Sequence, residues 1–306
     1  MAAPLAPRVN LYDAIAANRV RTVVLVAFFV AVVAAVAWVF GEYLTPGGGI
    51  ALLPFSLVLS GGSAFFSYFA GDRIVLAQSG ARAIGQGEEK VLRNVVESLA
   101  LGLGIPTPTL YVIEDSAPNA FATGRDPRHA SVAVTRGLLD KLDRPELEGV
   151  LAHELSHVGN RDIRVMLLVT ILVGMVALLA DWMLRSMWWG GGRRRGRDQG
   201  GGLIAVLALV LALLTPVIAT LIQLAVSRQR EYLADASGAL LTRYPAGLAS
   251  ALRKIAADKE PLEVANKATA SLYIANPLKD RPALFDGLFD THPPIAERIK
   301  RLDAMG

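Results

Sequence analysis

The chain has no cysteine. That excludes disulfides and thiolate metal ligands, so any transition metal must be held by imidazole and carboxylate; the redox compartment stays open. Charge is scarce too: 19% of the 306 residues are charged against 53% hydrophobic, and the mean hydropathy is +0.42. That balance excludes an ordinary soluble enzyme of this length and puts a membrane protein first. The net charge of +4 and pI near 9.4 do not by themselves mean nucleic acid. The arginines are scattered over the flanks of apolar segments and in one short run, and a bilayer surface accounts for them more simply than a nucleic-acid partner. Histidine is rarest of the polar residues, with four in the chain, and two of the four stand close together.

Residues 22–40 and 50–70 contain no charged side chain, and each run is long enough as a helix to cross a hydrocarbon core about 30 Å thick. A cleavable signal peptide is not expected, because the first run starts too far in, is too long and lacks a clear small-residue cleavage site. Arg8, Arg19 and Arg21 precede the first run, whereas the connection GEYLTPGGG has neither Lys nor Arg. That asymmetry places the N-terminus in the cytoplasm, and two crossings return the chain there at Asp72 and Arg73. Two more apolar runs follow at 165–180 and 203–226, separated by a glycine-flanked loop with Arg193, Arg194, Arg195 and Arg197. Either this hairpin crosses against the charge rule or it lies partly embedded from the cytoplasmic side. The chain thus divides into a membrane anchor at 1–71, a first part of a polar domain at 72–164, a hydrophobic hairpin at 165–227 and a second part of that domain at 228–306.

Between the second and third apolar runs the sequence is that of a soluble domain. Residues 88–103 have helical spacing, and TLYVIE, NAFAT and ASVAVT are short β-prone runs separated by Pro118 and the turn cluster GRDPR. A helix follows, with Asp143 as cap, Pro145 in its first turn and Glu146 at the capping-box spacing. It ends near Gly159 and Asn160, and Leu147, Val150, Leu151 and Val158 give it an apolar stripe.

This helix carries LAHELSHVGN. His153 and His157, four apart, project side by side from one face and can bind one ion together. Glu154, about 100° further round, is badly placed as a third ligand but can reach a water held there. HExxH serves zinc hydrolysis for this reason: two ligands and an adjacent carboxylate to take a proton. A catalytic zinc wants a third protein ligand, and the acids in SRQREYLADASG are the candidates. Glu231 and Asp235 are again four apart, so one can bind metal while the other hydrogen-bonds the far nitrogen of a ligating histidine; taken alone, they equally read as two acids on a solvated helix face.

In combination these stretches resemble one family. PNAFATG, VTRGLLD, ELEGVLAHELSHVGNRD, SRQREYLADASGA and THPPIAERIKRL occur in the order found in the HtpX-like membrane-anchored zinc metalloproteases of the gluzincin superfamily, which are distantly related to the CAAX prenyl endoproteases. The resemblance implies one Zn2+ per subunit held by His153, His157 and Glu231, with Glu154 as general base and Asp235 orienting His153 or His157. An oxyanion donor is still required, and His292 or Arg298 is the candidate; His292 equally reads as a capping or packing residue beside Pro293 and Pro294.

The expected fold is therefore mainly α with a small β-sheet, an α+β zincin-like catalytic domain on transmembrane helices, in a multi-pass protein of the cell membrane whose catalytic domain is cytoplasmic. Proteases of this type bind substrate as a strand against a sheet edge, for which Asn119 and Ala120 are candidates, although NAFAT equally reads as a plain structural strand. Expected partners are the lipid bilayer and protein or peptide substrates, chiefly membrane or misfolded proteins removed under stress, with no nucleic acid. Two other classes compete. A non-catalytic membrane adaptor with a retained protease fold would bind no zinc, and a transporter would carry ionisable residues inside several spans, whereas the runs at 22–40, 50–70 and 203–226 carry none.

Overall fold

A computed structural model describes residues 11–44, 46–85, 87–172, 228–265, 269–277 and 293–306. Its first two elements are the longest, α1 (Leu11–Leu44) and α2 (Gly48–Gln78). Both are long and apolar enough to cross a membrane, with candidate spans at Val20–Trp38 and Gly48–Gln78. Phe55, Val58, Phe65 and Phe66 of α2 are exposed, as expected of side chains that face lipid rather than water. The buried stripe of α2 is made of small residues: Gly49, Ser56, Ser60, Ala64, Ser67 and Gly71. A Cβ on Gly49 would lie 2.7 Å from the backbone of Trp38 in α1, so small side chains are what let the helices approach. The serine hydroxyls are satisfied within the helix; Ser60 Oγ, for example, donates to Ser56 O at 2.7 Å.

Both helices overrun the apolar stretches that announce them. At about 1.5 Å per residue, 31 residues of α2 make roughly 46 Å against a core of about 30 Å. The excess docks on the soluble domain, where Val75 and Leu76 are buried.

That domain is built on a four-stranded mixed sheet of order β1-β2-β4-β3, with β1 (Arg82–Ala83), β2 (Thr109–Ile113), β3 (Ala120–Gly124) and β4 (Ala130–Thr135). β2 and β4 are parallel, with Leu110 opposite Val132, while β3 is antiparallel to β4, with Ala122 opposite Val132. The two-stranded-period alternation sends neighbouring side chains to opposite faces. Val132 and Val134 join one core with α3 (Lys90–Leu103), α5 (Arg144–Gly159) and α7 (Pro245–Ala257). Ala133 and Phe121 join another with the end of α2, Met166, Leu167 and Tyr273. The sheet thus lies between α3, α5 and α7 on one side and the end of α2 on the other.

The three expected strands and the helix at 90–103 are present at nearly the expected bounds. The two-residue β1 and the short α4 (Arg136–Lys141) are too brief to leave a periodicity. α5 starts as its sequence indicates: Asp143 Oδ1 accepts from Glu146 N at 3.0 Å, and Glu146 Oε2 accepts from Asp143 N at 2.9 Å. Its burial is wider than one stripe, since every residue from Gly149 to Val158 is buried. Glycine and alanine on its other faces make this possible: a Cβ on Gly149 would lie 2.6 Å from Leu248 N of α7.

After α5 the chain turns at Asn160 and Arg161, the latter at φ 60°, a left-handed conformation uncommon outside glycine. It resumes as helix from Asp162, described to residue 172. The beginning of the third apolar run is therefore packed inside the protein, with Val165, Leu167, Leu168 and Val169 almost wholly buried. The remainder of the run, the arginine loop and the run at 203–226 lie outside the described residues. The chain is described again in α6 (Arg228–Thr242), α7 and α8 (Ile295–Asp303).

Candidate metal centre

α5 and α6 cross so closely that a Cβ on Gly238 would lie 3.0 Å from His153 N. One turn back from Gly238, Asp235 faces α5, and one turn further, so does Glu231. The result is a buried group of His153, His157 and Glu231, with one ligand atom from each within 4.8 Å of the others. The two imidazole Nε2 atoms are 3.3 Å apart, and they lie 3.7 Å and 3.6 Å from the oxygens of Glu231. Two bonds of about 2.05 Å at a tetrahedral angle separate their donor atoms by roughly 3.3 Å. The three side chains therefore fit a four-coordinate ion with one position left open.

Each histidine has a carboxylate behind it. His153 Nδ1 lies 2.9 Å from Asp235 Oδ1, and His157 Nδ1 lies 3.1 Å from Asp162 Oδ2. A carboxylate accepts, so each Nδ1 carries the hydrogen and each Nε2 presents its lone pair to the centre. Asp235 is in turn gripped by Arg298, whose Nε and Nη2 donate at 2.9 Å and 2.7 Å to its two oxygens. Arg298 Nη1 donates to Ile274 O at 2.9 Å. Glu154 stands beside the ligands, and its Oε2 accepts a 2.9 Å bond from Ala122 N on β3, tying the HExxH helix to the edge strand.

The model described as Peptidase family M48 matches residues 86–306. The chain belongs to peptidase family M48, among its HtpX-like metalloproteases. It is 46% identical over 302 residues to a protein named Protease HtpX homolog from Thermoanaerobacter pseudethanolicus, across 97% of this chain and 99% of the relative. Proteins of the same name from Dictyoglomus thermophilum and Tropheryma whipplei (strain Twist) are 45% and 46% identical, each across 97% of this chain and 95% and 99% of their own lengths. Among solved structures, it is similar to S. mikatae Ste24p at a TM-score of 0.49 and 20% identity, over 95% of this chain and 67% of that one.

In this M48 site the electrostatics are set by burial. Burial pushes the carboxyl of Glu154 up to about 8, helped by Glu231 and opposed by the neighbouring His157. Burial and the guanidinium of Arg298 push His153 down despite Asp235. At His157 burial acts in the same direction but is outweighed by the Asp162 hydrogen bond and the charge of Glu231, so that ring is pushed up. Asp235 is held down at about 2 because Arg298 and His153 outweigh its burial.

Of the residues singled out in the sequence, His153, Glu154, His157, Glu231 and Asp235 are brought together, and Asp235 stands behind His153. Arg298 is also here, engaged with Asp235 and Ile274 O. His292 lies outside the described residues. Asn119 and Ala120 sit at the start of β3, where Asn119 Nδ2 donates to Ala275 O at 3.2 Å and Ala120 O accepts from Ile274 N at 3.0 Å. Asp162 was not singled out. A carboxylate five residues beyond the second histidine, across a turn marked by Gly159 and Asn160, is the signal that could have found it.

Proposed function

We propose that the protein is a zinc-dependent endopeptidase of the cell membrane, multi-pass, with its catalytic domain on the cytoplasmic side, cleaving membrane or misfolded proteins as a quality-control enzyme under stress. The observation that carries the chemistry is the convergence of two imidazole Nε2 atoms and the Glu231 carboxylate, with Glu154 alongside and each histidine backed by a carboxylate. Such a donor set, without sulfur and with one position open, favours zinc. Bound there, zinc would lower the pKa of a water and polarise a peptide carbonyl. Glu154 takes the proton from the attacking water and passes it to the leaving amine; burial pushes its carboxyl up and a bound cation would push it back down, which suits a group that both accepts and releases a proton. Asp235 and Asp162 hold the rings of His153 and His157 in the required tautomer. His292 completes the assignment as a donor to the developing oxyanion.

The substrate lies as a strand along β3. Asn119 and Ala120, the residues expected to receive it, are themselves bonded to residues 275 and 274, so the proposed strand runs beyond them, past Ala122 beside Glu154. The placement of arginines before the first span and their absence from the first connection support the cytoplasmic orientation.

The test is cleavage of an unfolded protein by the full chain, purified in detergent with zinc, against Glu154→Gln at matched metal content. Cleavage by the unaltered enzyme alone is the expected result. Equal cleavage by both removes Glu154 as the base, and two inert proteins that bind no zinc favour the adaptor reading.

A further inference from the structure

The HExxH helix is bonded to the membrane helix α1 as well as to its own domain. Behind His157 stands Asp162, and the second oxygen of that carboxylate, Oδ1, accepts a 2.7 Å hydrogen bond from Asn18 Nδ2. The same amide nitrogen donates at 3.1 Å to Asn160 O, the carbonyl at the end of α5. Asn18 Oδ1 accepts from Arg21 Nη1 at 3.2 Å. Two acceptors on one side and a guanidinium on the other settle which end of the amide is nitrogen. Asn18, Asp162 and His157 are 3%, 2% and 3% exposed, so the series from membrane helix to metal ligand is shut off from water.

Asn18 stands two residues before the candidate span that begins at Val20, about 3 Å of helix rise from it. A helix that served only as a tether would have no use for a buried amide there, because a buried polar group is unfavourable unless it is bonded. Here both amide hydrogens go to the turn that carries Asp162. A carboxylate gripped on one oxygen by the membrane helix has a fixed plane, and it presents its other oxygen to His157 Nδ1 in a fixed direction.

We propose that Asn18 is a positioning residue of the metal centre: by holding Asp162 it orients His157, so that α1 is a working part of the metal site rather than an anchor alone. The proposal rests on the reading of His153, His157 and Glu231 as metal ligands.

The experiment is zinc affinity of the full-length protein in detergent, by competition with a chromophoric chelator, for Asn18→Ala, Asn18→Gln and Ser60→Ala. Ser60 is also buried in a membrane helix, but among the described residues its hydroxyl bonds only within α2. The expected result is a zinc Kd raised about 10-fold in Asn18→Ala, the lower end of what groups behind metal ligands contribute. The visible spectrum of the cobalt-substituted protein should change with it. Asn18→Gln, which keeps the amide donor, should recover part of both, and Ser60→Ala should match the unaltered protein. A Kd within twofold in Asn18→Ala with an unchanged cobalt spectrum overturns the proposal. If Asn18→Ala does not fold, amide hydrogen exchange of the unaltered chain decides, because coupling between two sites is reciprocal. Zinc must then slow exchange in α1 around Asn18 more than in the middle of α2, and equal exchange with and without zinc overturns the proposal. An unaltered protein that binds no zinc sinks the metalloprotease reading itself, whereas tight zinc that is indifferent to Asn18 sinks only this inference.

Discussion

The two histidines of the candidate metal centre are supported alike at the first step and differently at the second. His153 leans on Asp235, which is held by Arg298 from the last helix of the same domain. His157 leans on Asp162, which is held by Asn18 from the membrane helix. One support is a doubly bonded ion pair; the other is a neutral amide, with the buried guanidinium of Arg230 close enough to feel the charge of Asp162 without gripping it as Arg298 grips Asp235. A buried ion pair makes the fold depend on both partners, because either one alone is an unpaired buried charge. A neutral amide behind a carboxylate directs it without adding a charge. The difference teaches that the His153 side is locked to the catalytic fold, while the His157 side answers to the position of the membrane helix.

The largest expected break in this comparison is Arg298→Met. It leaves Asp235 buried without its cation, and removing one partner of a buried pair costs about 3–5 kcal/mol. The midpoint of denaturant unfolding should fall accordingly, and an unchanged midpoint would show that Asp235 is not committed to Arg298. On the other side, Asp162→Asn should lower the unfolding midpoint less than Arg298→Met does, because Arg230 feels the charge of Asp162 without a doubly bonded pair, but it should weaken zinc about 10–100-fold, read by chelator competition. If Asp162→Asn unfolds the protein as readily as Arg298→Met does, the two sides are equivalent and the contrast fails.

The smallest effect sharpens the comparison from the far end of α5. There Glu146 accepts from Asp143 N, Ser250 Oγ and Lys254 Nζ, the last at 2.6 Å. Burial opposes its charge, but these donors outweigh it and hold its carboxyl below the usual glutamate range. A depressed folded pKa means stability that is present above about pH 4.5 and lost as pH falls through the folded value. Melting temperatures measured from pH 7 to pH 3.5 should therefore drop less steeply in Glu146→Gln than in the unaltered protein. The difference should be on the order of 1 kcal/mol, with zinc affinity at neutral pH unaffected. A parallel pair of curves would remove Glu146 from the acid response.

How much of this was legible in the sequence differs from residue to residue. The capping box of α5, the three longer strands and the spacing of His153 and His157 are local, and local periodicity reads them directly. Asp235 was legible as a partner of a histidine but not of which one, since that depends on where α6 crosses α5, and the crossing is decided by the bare backbone at Gly238. Arg298 looked like an oxyanion donor because an arginine on a short charged helix carries no mark of its burial, yet it is wholly buried against Asp235. α5 read as one-sided because glycine, alanine and serine look neutral in a hydrophobic pattern, although they are what lets α7 and α6 pack on its other faces.

By itself the sequence determined the chemistry and the medium: two histidines and a glutamate on one helix, a second acidic motif, and runs too apolar to remain in water. These are properties of composition and of short spacing, and a helix or strand expresses them wherever it is placed. Only the tertiary structure decided which carboxylate stands behind which histidine, and that Asn18 reaches Asp162 across 144 positions of chain. Such a contact leaves no periodic trace, because it depends on how two elements are docked rather than on how either one is wound.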